Sequence, residues 1–181
     1  MERGYIMRTQ DYLKIIHEDI HSVVVATLDN DGRPVTRVID MMLHDENSLY
    51  FLTAKGKELY KQLMEQQYIA ISGMAGEGDS MSKRAFSVRG KVECIGSDKL
   101  DEIFESNPYM AEIYPQKESR IALQVFKLYE GNGEYFDLST KPITRESFVL
   151  GNATKVVGGY FITDRCRGCK MCYSKCPQKC I

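Results

Sequence analysis

Five of the six cysteines fall between Cys166 and Cys180, at the end of a 181-residue sequence. They run Cys166-x2-Cys169-x2-Cys172-x3-Cys176-Pro177, with Cys180 beyond. Thiolates spaced this closely let one short backbone wrap three corners of a cube. Gly168 permits a tight turn between the first two, and Pro177 redirects the chain after the fourth. Such a run holds a [4Fe–4S] cluster. A structural zinc site usually sets two cysteine pairs on separate loops to build a tetrahedron, so four crowded ligands suit zinc poorly. Disulfides are a third reading, disfavoured in a reducing compartment.

The spacing resembles the ferredoxin type, in which the fourth cysteine of a run ligates a second cluster. No second run occurs in this sequence. Cys166, Cys169 and Cys172 are therefore the firm metal ligands. Cys176 is the fourth, with Cys180, another chain's thiolate or a non-protein ligand as alternatives; a truncated module is a further reading. Arg165, Arg167, Lys170, Lys175 and Lys179 surround the cysteines, and no acid follows Asp164. A cluster with four thiolates is an anion, which basic neighbours stabilise. Cys94, far from the run, is expected to be an ordinary buried cysteine.

A net charge of −1 and 43% hydrophobic residues suit one compact domain with a small appendage. No apolar run approaches the ~20 residues that cross a membrane. The N-terminus lacks the apolar core of a secretory signal, and Met7 is a candidate start. A cytoplasmic protein with no membrane partner is expected. Nucleic acid is not expected either, because the basic run coincides with the cysteines and has no aromatic platform beside it. The division expected is a main domain over 1–150, a linker over 151–164 and an iron–sulfur segment over 165–181.

The elements of the main domain follow from periodicity. Thr9 can cap a helix with Tyr12, Leu13, Ile16 and Ile20 at helical spacing. HSVVVATLD and PVTRVIDMML are strands joined by the turn residues Asp29-Asn30-Asp31-Gly32. LYFLT is a third strand, and Gly56 opens a helix with Leu59, Tyr60, Leu63 and Met64 inward. YIAISGMA and AFSVRGKVECI are further strands around a polar loop. Ser97 caps another helix, which ends near Asn107-Pro108, and PYMAEIYP adds a short helix or turn. IALQVFKLYE and GEYFDL read as a last hairpin around Gly131-Asn132-Gly133, and ESFVL and GYFIT as extended segments. The fold class is mainly β with peripheral helices (α+β): an antiparallel barrel rather than a parallel sheet.

One constellation in that frame suits an anion. A strand ends at Thr53 just before a helix start, where backbone N–H groups point outward. Thr53 adds a hydroxyl and Lys57 a cation, with Lys61 one turn on. Arg37, on a neighbouring strand, can add a bidentate contact. The stretches RPVTRVIDMML…LYFLTAKGKELYKQL and AFSVRGKVECIGSDKLDEIF resemble the pyridoxamine 5′-phosphate oxidase-like family of FMN-binding split barrels, in its nitroimidazole-reductase-like branch. The resemblance covers most of residues 8–138. It implies a homodimer with FMN at the subunit interface, its phosphate held at Arg37, Thr53 and Lys57, assisted by Lys61. It also implies that the backbone of Val38, Ile39 and Asp40 lies against the flavin ring. Arg120 could approach from the partner subunit, whereas Phe126 is better placed in a core.

Oxidases acting on pyridoxamine phosphate use a late Arg/His pair. Here the histidines are His17, His21 and His44, so that reaction is not expected. His17 and His21 have the spacing of a metal pair, but at the end of an amphipathic helix solvent-facing rings are expected. No nucleophile elbow is present, so the chemistry falls to cofactors. The expected function is a flavin-dependent oxidoreductase or electron-transfer protein. Its [4Fe–4S] cluster exchanges electrons with FMN to reduce a small acceptor such as a nitro compound, a quinone or another flavin, with a redox partner protein possible. The alternative is a non-catalytic flavin-binding or redox-sensing protein with a metal or thiol switch in the tail. Haem or a deazaflavin could replace FMN in a barrel of this kind.

Overall fold

Along β1 (Ser22–Leu28), Val23, Val25 and Thr27 are buried while Val24 and Leu28 face outward, the alternation of a strand with one covered face. The computed structural model describes residues 7–141, 143–155 and 165–175. β1 pairs antiparallel with β2 (Pro34–Asp40) across the Asp29 turn. There the Asp29 carboxylate accepts from the N–H groups of Asp31 at 2.9 Å and Arg33 at 2.8 Å. The remaining strands are β3 (Leu43–His44), β4 (Leu49–Ala54), β5 (Tyr68–Ala75), β6 (Arg84–Gly96), β7 (Leu123–Asp137) and β8 (Thr144–Leu150). Their order is β2-β1-β5-β6-β7-β4-β3, with β8 on the free stretch of β7, and every pairing is antiparallel. Register shifts at Lys91/Val92 and Cys94/Gly96 bend β6, which curls the sheet into a half-barrel.

The helices are α1 (Thr9–Lys14), α2 (Glu58–Gln66), α3 (Leu100–Ser106), α4 (Met110–Ile113), α5 (Lys117–Arg120) and α6 (Met171–Lys175). Helices α1 to α4 bury apolar residues against the sheet, whereas α5 and α6 bury none. A π-helical turn, Ile15–Ile20, continues α1. Leu13, Ile16, Val25, Phe51, Leu63, Ile69 and Phe126 meet in the main core. A second core forms where Ile103, Phe104 and Met110 cover Leu43, Tyr50, Leu123 and Val125.

The sequence expectations need correction at several points. No hairpin forms at Gly131-Asn132-Gly133: β7 runs through it as one 15-residue strand. These glycines serve close approach rather than a turn. A Cβ on Gly131 would lie 2.4 Å from the Arg89 carbonyl oxygen, and one on Gly133 would lie 2.2 Å from the Phe148 ring. ESFVL is extended, as expected, and forms most of β8, which pairs with β7 alone. The helix expected at Gly56 begins at Glu58, and Met64 is 45% exposed rather than inward. α1 is capped by Arg8, not Thr9, with the Arg8 N–H donating to Asp11 at 2.7 Å. α3 starts after Lys99, so Ser97 is not its cap. Cys94 is half-buried beside Gln124. Phe126 is in the core, as expected.

Candidate functional site

The site starts with a polar cluster inside an apolar wall. Thr27 on β1 and Gln62 on α2 are both buried, and the Thr27 hydroxyl donates to Gln62 Oε1 at 2.6 Å. Neither could be left unpaired there without a desolvation cost. Arg37, opposite Val25 in the β1–β2 register, sends Nη1 to both: 3.0 Å to Thr27 Oγ1 and 2.9 Å to Gln62 Oε1. Desolvation lowers the guanidinium below its ordinary value, yet arginine stays charged at any physiological pH. Both bonds use Nη1, so Nη2 and Nε remain chemically able to meet a ligand.

An open cleft of about 380 Å³ lies beside this cluster. It is lined by Arg37, Val38, Ile39, Thr53, Lys57, Glu58 and Leu59. β4 delivers Thr53, paired in register with Gln124 of β7, and the α2 start delivers Lys57 as its N-cap. Two cations, a hydroxyl and the open first turn of a nine-residue helix therefore converge on one space. That donor set suits a phosphate.

Of the residues picked from sequence, Arg37, Val38, Ile39, Thr53 and Lys57 line this cleft together. Lys61 does not: its Nζ pairs with Glu58 at 2.7 Å on the exposed side of α2. That pairing offsets the one carboxylate in the first turn of α2. Asp40 sits at the far end of β2. Its carboxylate accepts from Ser22 Oγ at 2.5 Å and from the Tyr109 hydroxyl at 3.0 Å. His21 Nε2 lies 3.0 Å from that hydroxyl and 3.6 Å from Asp40 Oδ2. Burial, then the Asp40 hydrogen bond, push the Tyr109 phenol up. Arg120 is turned to its own subunit, donating to the Tyr114 carbonyl at 3.0 Å and lying over the Phe104 ring.

Contrary to the expectation of solvent-facing rings, His17 and His21 are both half-buried. His17 meets His44 instead, with 2.9 Å between their Nδ1 atoms. Desolvation, then the neighbouring His44, lower the His17 value. Sequence reasoning also missed Thr27, Gln62 and Tyr109. Gln62 did carry a signal, being a polar residue between Leu59 and Leu63 on a buried helix face.

In the tail, Cys166, Cys169 and Cys172 are exposed free thiols. Gly168 adopts φ +64°, so the chain does turn between the first two in the left-handed region. Cys172 lies in α6. Cys176 and Cys180 fall outside the described residues, as do GYFIT and most of the expected linker. Among the described residues, no helix is long and apolar enough to cross a membrane.

Comparison with known proteins adds to this geometry. The chain is 29% identical over 119 residues to a pyridoxine/pyridoxamine 5′-phosphate oxidase of Sinorhizobium fredii, covering 65% of this chain and 56% of that protein. A second curated relative, from Bacteroides thetaiotaomicron, is 26% identical over 97 residues, covering 53% of this chain and 43% of the relative. The chain thus spans about half the length of the curated relatives it matches. Among solved structures, a NimC/NimA family protein from Clostridium acetobutylicum superposes with a TM-score of 0.64 at 19% identity, covering 80% of this chain and 95% of that one. A heme binding protein from Mycobacterium smegmatis gives 0.60 at 14% identity, covering 79% and 58%. These two likenesses establish the split-barrel fold and nothing finer. The family model described as pyridoxamine 5′-phosphate oxidase matches residues 10–129, which takes in every cleft residue named above. The chain belongs to the pyridoxamine 5′-phosphate oxidase family.

Proposed function

We propose that this chain is an FMN-dependent oxidoreductase or electron-transfer protein. Its C-terminal cysteines would carry a ferredoxin-type [4Fe–4S] cluster that exchanges electrons with the flavin, serving the reduction of a small electrophile such as a nitro compound, a quinone or another flavin. The observation that carries the reading is the convergence of Arg37, Thr53, Lys57 and the α2 start on one cleft, in a chain of this family. The residues present fit FMN. Arg37 is already held in place by Thr27 and Gln62, so little side-chain entropy is lost when it meets a phosphate. The Thr53 hydroxyl and the α2 N–H groups would donate to the same group. Lys57 would supply charge. Val38 and Ile39 extend the cleft along β2, where a flat apolar ring could lie on backbone. Bound FMN would supply hydride and single-electron transfer.

The outward faces of β1, β5 and β6 support the homodimer. They present Val24, Ala26, Ala70, Ser72 and Ser87 along a groove of about 370 Å³, with Arg89 at its margin. Val38 is 68% exposed and Met74 63% exposed on the same sheet. Small and apolar residues on a solvent face suit a second copy better than water. Oxidation of pyridoxamine phosphate itself is not part of the proposal. All three histidines of the sequence precede residue 45.

The test is a visible spectrum of full-length protein purified without oxygen, with FMN, iron and sulfide assayed on the same sample. Flavin bands over a broad shoulder near ~400 nm, with about four irons per chain, are the expected result. Flavin without iron would reduce the proposal to a plain flavoprotein, and neither cofactor would overturn it.

A further inference from the structure

We infer that His17, His44 and Glu18 form a mononuclear site for a first-row divalent transition-metal ion, separate from the cysteine tail and from the phosphate cleft. The three residues each offer one ligand atom, and those atoms all lie within 4.8 Å of one another. Two come from different parts of the fold. His17 and Glu18 sit in the π-helical turn after α1, and His44 ends the short strand β3. Single π-helical turns recur at functional sites, because the wider turn re-aims side chains that a regular helix would direct elsewhere.

The distances suit a shared ion. The Nδ1 atoms are 2.9 Å apart. Two nitrogens each about 2.0–2.1 Å from one ion, at that separation, subtend an angle of about 90°. That is the angle of an octahedral or tetragonal site, and opening the pair to about 3.3 Å gives the tetrahedral one. Two imidazoles and one carboxylate leave further positions for water, as in open rather than closed metal sites. In the absence of an ion, one ring must carry Nδ1–H and donate a hydrogen bond to the other ring's Nδ1. Metal binding would need only a tautomer shift in that ring, so both Nδ1 lone pairs face the ion without a charge being created.

The surroundings hold the ligands in place. His17 and His44 are both half-buried, which restricts the rotation of either ring. Glu18 is exposed, and its ion pair to Lys14 at 3.7 Å is a loose surface contact that a metal can displace. His21 is not part of the set, being engaged with Tyr109 and Asp40.

The chain has three histidines, so its imidazole resonances can be read individually. The experiment is histidine-selective NMR of the full chain titrated with Zn²⁺. Zinc bound by free tail thiols would not contribute to this readout. The expected result is that His17 and His44 shift together and saturate with one Kd. Glu18→Gln, an exposed change, should weaken that Kd by about tenfold or more. His44→Asn should abolish the His17 shift. Unmoved His17 and His44 signals throughout the zinc titration would overturn the site. So would saturation that Glu18→Gln leaves unchanged, or a shift confined to His21.

Discussion

Gln62 holds Arg37: its Oε1 accepts from Arg37 Nη1 at 2.9 Å from inside the barrel wall. The same oxygen takes the Thr27 hydroxyl, so one buried amide fixes a strand residue and a cleft cation together. Gln62→Leu would remove both bonds while keeping much of the volume. The Thr27 hydroxyl would lose its acceptor, at a stability cost of about 1–3 kcal/mol. Arg37 would remain charged but looser, and the Kd for FMN should rise about three- to tenfold. Arg37→Ala should raise it further, by about tenfold to a hundredfold. Equal losses from both substitutions would mean that the arginine needs no positioning. Fluorescence quenching of added FMN measures all three proteins.

Lys57 and Lys61 separate the cleft from its surroundings. Lys57 lines the cleft, whereas Lys61 is paired with Glu58. Lys57→Ala should weaken FMN by about tenfold, the scale of one charge-assisted contact. Lys61→Ala should leave affinity nearly unchanged at moderate salt. Similar, negligible effects of both would remove the phosphate from this end of the cleft.

Under the proposed function, Cys169→Ser tests whether the two cofactors would be held by separate parts of the chain. The broad iron–sulfur absorbance should disappear while FMN stays at full occupancy. Loss of both together would mean that flavin retention depends on the tail.

Much of this was legible in advance, for reasons that individual residues show. Val23, Val25 and Thr27 alternate cleanly because only one face of β1 is covered, and Arg37, Thr53 and Lys57 announce their cleft because a strand end meets a helix start there. Gly131 and Gly133 misled because a glycine needed for strand contact is written like one needed for a turn. The histidines misled for another reason. The pairing of His17 with His44 depends on a π-helical turn, and residues 17 and 44 are related by no periodicity. Tyr109 reaches Asp40 because Asn107 anchors its segment to the Met42 carbonyl at 2.9 Å, a long-range bond without a local signature.

Gly131→Ala should be costly although it adds only a methyl group. The new Cβ would meet the Arg89 carbonyl oxygen at 2.4 Å and the Gly90 Cα at 2.8 Å, and backbone cannot swing aside. A loss of about 1–3 kcal/mol is expected. At about 2–4 °C per kcal/mol, that lowers Tm by several degrees. Gly56→Ala, with open space at its Cβ position, is the matched control.

Asp45 gives the stability curve an acid limb. Burial raises its carboxyl, but the Tyr50 hydroxyl at 2.6 Å and the backbone N–H groups of Asn47 and Ser48 outweigh that and lower it overall. Its folded value therefore lies below its unfolded one. The stability it contributes is present above the unfolded value, about pH 4, and is lost as pH falls through the folded value. Asp45→Asn should flatten the fall of Tm below about pH 4 and leave the neutral region with a small constant loss. An unchanged acid limb would assign that limb to other carboxylates.

The uninterrupted length of β7 also sets an order of events during synthesis. Leu49 of β4 has its partner at Leu128, and Thr53 has its partner at Gln124. When β1, β2, β5 and β6 have left the ribosome they can already pair with one another, but β4 has only the two-residue β3 to pair with until β7 emerges. The wall that carries Thr53 is thus among the last parts of the barrel to be built, and the cysteines follow it. A nascent chain would offer no finished cleft until nearly all of the barrel had been translated, so under the proposed function flavin loading would belong to the closing stage of its manufacture.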